Sequence, residues 1–250
     1  MFIIHDTTVA GLDGEGGVLA DAALAVEADR IVAVGPSADL LERYPDAERV
    51  CGRGKAVFPG FANVHTHFSL IIAKGIYEDL SPPNQPPFTS GLAPIPLPEL
   101  DAEELRAMVR LAALEAIRSG TTAVLEDGSG IADYAAALAD TGLRLLLCER
   151  VWDKANGGIG DQGGFDVDPS IGRAGIARFE ALHRAWDGAC DGRLRVGIAA
   201  WAPDMCSPEL LRELRALQDA KGCIATIHLN QLWGEVAAVQ ALRNRLPTEY

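Results

Sequence analysis

Val57-Phe58-Pro59-Gly60-Phe61-Ala62-Asn63-Val64-His65-Thr66-His67 is an apolar strand entered through a Pro-Gly turn and ended by two alternate histidines. Successive side chains of a strand point to opposite faces, so His65 and His67 share one face and can converge on a single metal ion. The chain has five histidines in 250 residues, and two of them in strand register make metal-dependent hydrolysis the leading reading. The competing reading is a polar strand end, with both imidazoles satisfied by hydrogen bonds and no metal.

Downstream of this motif, apolar strand candidates alternate with helical stretches, which is the pattern of βα units and a parallel sheet. Strands are predicted over 61–64, 121–125, 143–148, 194–200 and 223–227. The clearest helix covers 101–119: acidic residues fill its first turn, Leu105, Met108, Val109, Leu111 and Ala112 recur at helical spacing, and Gly120 follows its end. Weaker helical patterns occupy 131–141, 176–186 and 208–220.

Upstream, short strands over 2–4, 22–26 and 31–34, with a Gly-rich turn at 14–17, indicate a small β module spanning 1–58 ahead of a main domain spanning 59–250. Between the histidine strand and the first helix, 81–98 carries Pro82, Pro83, Pro86, Pro87, Pro94, Pro96 and Pro98 and cannot be a regular element. Its position on the side where βα loops build barrel active sites suits a lid or substrate wall, or a plain surface loop. A second, Gly-rich loop at 156–164 belongs to the same rim.

A net charge of −13, with no Lys/Arg cluster interleaved with aromatics, argues against a nucleic-acid partner. No apolar run reaches the roughly 20 residues that span a bilayer, and the N-terminus lacks a basic stretch followed by a long apolar one, so a soluble, cytoplasmic protein is expected. Cys51, Cys148, Cys190, Cys206 and Cys223 are odd in number and lack C-x-x-C spacing, so reduced thiols are the default.

The fifth predicted strand runs into Ile227-His228-Leu229-Asn230-Gln231. Alone, His228 is as readily a hydrogen-bonded core residue; if the units wind into a barrel, it faces the same C-terminal mouth as His65 and His67 and completes three nitrogen ligands. Asp161 and Asp204 reach the mouth from loops or are surface carboxylates. Trp201 lines the pocket or is a core aromatic.

Here the chain resembles the amidohydrolase superfamily. The resemblance rests on the 59–67 motif, on Gly120-Thr121-Thr122, on Ala202-Pro203-Asp204-Met205-Cys206-Ser207 and on Ile227-His228. It is closest to the branch of triazine hydrolases, cytosine deaminases and related deaminases. It implies an α/β fold: a small N-terminal β-sandwich module plus a (β/α)8 TIM-type barrel. His65, His67 and His228 would hold one divalent metal, zinc or iron, whose activated water hydrolyses a C–N or C–Cl bond of a small cyclic nitrogen compound. Trp201 and Asp204 are the candidate substrate-binding residues. Relatives that open cyclic amides use a fourth-strand lysine, and 194–200 contains none, which favours the mononuclear type.

Two departures stand out. The position three beyond the strand-five histidine is usually a proton-shuttling glutamate and here is Gln231, which cannot exchange a proton at neutral pH. Glu235, four residues on, lies about 6 Å along the axis if a helix has begun there; it is the candidate substitute or a solvent-facing glutamate. Secondly, the ~190 residues after the β module accommodate five βα units of around 38 residues, so the barrel is incomplete (strands 1–5). The family's sixth-strand histidine and eighth-strand aspartate find no counterpart. The 250-residue chain alone is therefore expected to be poorly soluble, homo-oligomeric or inactive. The alternative to a hydrolase is a truncated or degenerate, catalytically incomplete relative that needs a partner chain.

Overall fold

The computed structural model describes residues 1–11, 17–75, 98–160 and 163–250 and divides into two compact units, Met1–Gly60 and Phe61–Tyr250. Most of the Gly-rich turn, the proline-rich stretch up to residue 97, and Asp161 lie outside the described residues.

In the first unit, β1 (Phe2–Ala10), β2 (Val18–Glu27) and β3 (Arg30–Pro36) form an antiparallel meander, followed by α1 (Ser37–Arg43), β4 (Glu48–Cys51) and β5 (Ala56–Val57). β4 and β5 both pair parallel with β1, on the side away from β2. Ile3, Ala23 and Ala25 point to one face and pack with Leu40 of α1. The Ser37 hydroxyl accepts the Asp6 N–H at 2.9 Å, tying α1 to β1. Among the described residues, one layer of the expected β-sandwich is present, as a mixed sheet with a helix against it.

The second unit holds β6 (Phe61–Thr66), β7 (Thr121–Gly128), β8 (Arg144–Val151), β9 (Leu194–Ala200) and β10 (Ala225–Ile227), all parallel and side by side in chain order. All five expected strands are there. β7 continues past Leu125 to Gly128, and β8 past Cys148 to Val151, because polar side chains at both ends find buried partners.

The connecting helices are α2 (Ala102–Arg118), α3 (Ala135–Ala139), α4 (Pro169–Trp186), the single turn α5 (Ala189–Gly192), α6 (Pro208–Lys221) and α7 (Trp233–Arg243). α2 starts where its sequence says: Asp101 accepts the Glu103 and Glu104 N–H groups at 2.8 and 2.9 Å, and Glu104 returns the favour to the Asp101 N–H at 2.9 Å. Such a capping box stabilises a helix end by about 1 kcal/mol. α4 begins seven residues earlier than its apolar period suggested, because Asp168 caps the Ser170 N–H at 2.8 Å and Pro169 occupies the first turn.

Strand alternation then separates two jobs. On β8, Leu145, Leu147, Glu149 and Val151 share one face, and the three apolar members join Phe179 and Leu182 of α4 in the core. Leu146, Cys148 and Arg150 share the other face. Since the strands are parallel, their C-terminal ends all lie along one rim, where βα loops gather functional groups.

Candidate metal centre

Three histidines meet at that rim. His65 belongs to β6, His67 follows its last residue, and His228 follows β10. Their ring centroids are 4.7 Å (65–67), 4.8 Å (65–228) and 5.2 Å (67–228) apart. One nitrogen from each falls within 4.8 Å of the others.

The hydrogen bonds behind the rings fix their tautomers. His67 Nδ1 is 2.6 Å from the Asp127 carbonyl oxygen, a distance that requires Nδ1 to carry the proton and donate it. His228 Nδ1 likewise donates to the Trp201 carbonyl at 2.9 Å. Both Nε2 atoms therefore present lone pairs, and they face one another at 3.2 Å. A proton shared between them would need one ring doubly protonated. Burial is the leading cause that holds both imidazoles below their ordinary pKa, and the Arg150 charge adds to it.

A divalent cation between the two rings would resolve this opposition. Two nitrogens about 2.0–2.1 Å from a tetrahedral zinc stand roughly 3.3 Å apart, and 3.2 Å is observed. The donor set of three neutral imidazoles, two of them braced through Nδ1 by backbone carbonyls, thus fits zinc or another first-row ion.

Around the histidines lies a polar shell that the sequence did not reveal. Asp127 at the end of β7 is 0% exposed; its Oδ1 accepts from Arg150 Nε at 2.9 Å and its Oδ2 stands 3.5 Å from His228 Nδ1. Arg150 also lies over the Trp201 ring at 5.5 Å, and Trp201 meets Trp152 edge-on at 4.9 Å. Trp201 is thus half-buried in a stack with Arg150 and Trp152. On the opposite strand face, buried Glu126 accepts the Phe68 N–H at 2.8 Å and the Tyr134 hydroxyl at 2.9 Å. Glu149 accepts from Gly130, Ile131 and Arg178 at 2.9, 3.1 and 2.8 Å.

The remaining expected site residues are displaced from the roles their spacing suggested as alternatives. Asp204 is fully buried, not a surface carboxylate: its Oδ2 accepts the Gly160 N–H at 2.6 Å, and burial raises its pKa. Glu235 is fully buried as well, not solvent-facing. It sits in the first turn of α7 and accepts the Asn230 and Gln231 N–H groups at 2.9 and 2.7 Å. Asn230, left-handed at φ 56°, turns the chain back far enough for these bonds. Gln231 is exposed, its backbone held by Glu235.

Comparison with known proteins shows the family and the fold. The model of the amidohydrolase family matches residues 56–248, and that of a bacterial imidazolonepropionase-like composite domain matches residues 22–47. The chain is 30% identical over 249 residues to a 5-methylthioadenosine/S-adenosylhomocysteine deaminase of Moorella thermoacetica, covering 98% of this chain and 53% of the relative. It is 28% identical over 238 residues to a 5'-deoxyadenosine deaminase of Methanopyrus kandleri, covering 93% and 51%. Among solved structures, the zinc complex of atrazine chlorohydrolase TrzN from Arthrobacter aurescens TC1 superposes with a TM-score of 0.76 at 18% identity, covering 100% of this chain and 57% of that one. The chain spans about half the length of the curated relatives it matches. With the family model matching residues 56–248, the chain belongs to the amidohydrolase family.

Proposed function

We propose that this chain carries the metal-binding half of a hydrolase that cleaves a C–N or C–Cl bond of a small cyclic nitrogen compound. The observation that carries the reading is the pair of Nε2 lone pairs held face to face at 3.2 Å by Nδ1 bonds to backbone carbonyls. When bound, a divalent ion would supply an activated water near neutral pH. The deaminase names of the relatives favour a purine nucleoside as substrate, and the zinc-bound neighbours favour zinc over iron.

His65, His67 and His228 hold the ion on this reading. Gln231, exposed beside His228, orients water or substrate through its amide. Glu235 handles the proton that Gln231 cannot: burial pushes its carboxyl above the ordinary carboxylate range despite its two N–H bonds. Trp201 forms part of the substrate wall, and Asp204 shapes that wall by holding Gly160. The net charge of −13 supports a small-molecule partner over nucleic acid, and no described helix is long and apolar enough to cross a membrane. We extend the reading to a cytoplasmic homo-oligomer.

The test is metal retention and ammonia release from adenosine-type nucleosides, measured on the full chain. Single alanine variants of His65, His67 and His228 should lose a one-to-one ion on dialysis. E235Q should keep it while turnover falls by about 10²-fold or more. Retention unchanged in the histidine variants would overturn the site, and unchanged turnover in E235Q would overturn the role of Glu235. The second reading, a catalytically incomplete relative that needs a partner chain, is favoured by Gln231 at the proton-shuttle position. An ion bound without any turnover would select it.

A further inference from the structure

The face of β7 and β8 that meets the histidines carries a charge pair whose geometry exceeds what a structural ion pair needs. Asp127 is 0% exposed and Arg150 16% exposed. Oδ1 of Asp127 takes Arg150 Nε at 2.9 Å, and its backbone oxygen lies 3.4 Å from Arg150 Nη2 and 2.6 Å from His67 Nδ1. Oδ2 has no hydrogen-bond partner and points toward His228 Nδ1 at 3.5 Å. One residue thus addresses two histidines, one with its carbonyl and the other with its carboxylate.

A buried carboxylate oxygen left unpaired costs about 1–3 kcal/mol or more. It persists here because Arg150 fixes the other oxygen, and β7 pairing with β8 (Asp127 opposite Cys148) sets Arg150 on the same strand face. Arg150 Nη2 lies 3.2 Å from His67 Nδ1, but that nitrogen already donates to the carbonyl. Arg150 therefore bonds Asp127 and not the ring.

We propose that Asp127, locked by Arg150, is a positioning residue that holds His67 through its carbonyl, faces His228 with its carboxylate charge, and strengthens the grip of both rings on a divalent cation. The inference rests on the metal-site reading above. With a cation held at Nε2, each imidazole would lose electron density and its Nδ1–H would become a stronger donor. The unpaired Oδ2 is then the acceptor placed to balance His228, as the Asp127 carbonyl balances His67. The Trp201 carbonyl keeps the tautomer of His228, so Asp127 tunes affinity and leaves the choice of ligand atom alone.

The experiment titrates Zn²⁺ into the full chain against a chelator and records the visible spectrum of the Co²⁺-substituted form. D127N, nearly isosteric, should weaken Zn²⁺ binding about 10–100-fold and shift the Co²⁺ bands, in addition to the fall in metal-free melting temperature that losing one partner of a buried ion pair brings. R150K keeps the charge but gives up the fork; it should show a smaller loss in the same direction, and it carries the test if D127N does not fold. Parent-like Zn²⁺ affinity and an unshifted Co²⁺ spectrum in the folded variants would overturn the proposal while leaving the site standing. If the parent itself binds Zn²⁺ no better than its H65A/H67A variant, the site reading fails, and this inference with it.

Discussion

Glu126 shows what burial does to a single side chain beside the site. Desolvation raises its carboxyl to about 8, against the pull of the Phe68 N–H and Tyr134 O–H bonds. The folded state therefore keeps a proton that the unfolded chain releases above the ordinary 4.5. Stability is fullest below that value and falls as pH rises through the window up to about 8, with a slope approaching about 1.4 kcal/mol per pH unit. The carboxamide of E126Q can accept from Phe68 and donate to Tyr134 without titrating. Urea midpoints compared at about pH 5 and about pH 8 should therefore fall for the parent and stay level for E126Q. A parallel decline in both would assign the pH dependence to another group.

At the scale of elements, the apolar runs that form β6 to β10 were legible because strands of a parallel sheet read as continuous hydrophobic stretches, although only the inner ones, such as β8 and β9, are largely buried here. Their ends were not. Glu126, Asp127, Glu149 and Arg150 look like the start of loops, yet each is paired across a strand or helix, and such pairing leaves no periodic trace. The register of two histidines survived because it depends only on strand alternation. β4, fully exposed as Glu48-Arg49-Val50-Cys51, carries no alternation for a reader to find. Gly197 in the middle of β9 illustrates a constraint visible only in the fold. A Cβ there would stand 2.7 Å from the Ile224 carbonyl oxygen and 2.8 Å from Cys148 Sγ, so only glycine lets β9 sit between β8 and β10. G197A should lower stability by about 1–3 kcal/mol, read from thermal unfolding. An unchanged melting temperature would mean that the strands separate without cost.

Among the described residues of the second unit, the five strands leave β6 and β10 each paired on one side only. Unpaired N–H and C=O groups along a strand edge recruit other strands. Here the edges are also apolar: Phe61 is 65% and Val64 75% exposed on β6, and Ile227 and Leu229 are exposed at β10. The match to the neighbour TrzN covers 57% of that protein's length. A polypeptide of these 250 residues alone should therefore bury its edges against a second copy, and sedimentation velocity should show dimers or larger species at micromolar concentration. Charged residues at the two most exposed positions, F61K and V64K, should shift that distribution toward monomer, because edge lysines resist pairing. A parent that sediments as a monomer with full hydrolytic turnover would mean that the open sheet is stable and sufficient by itself.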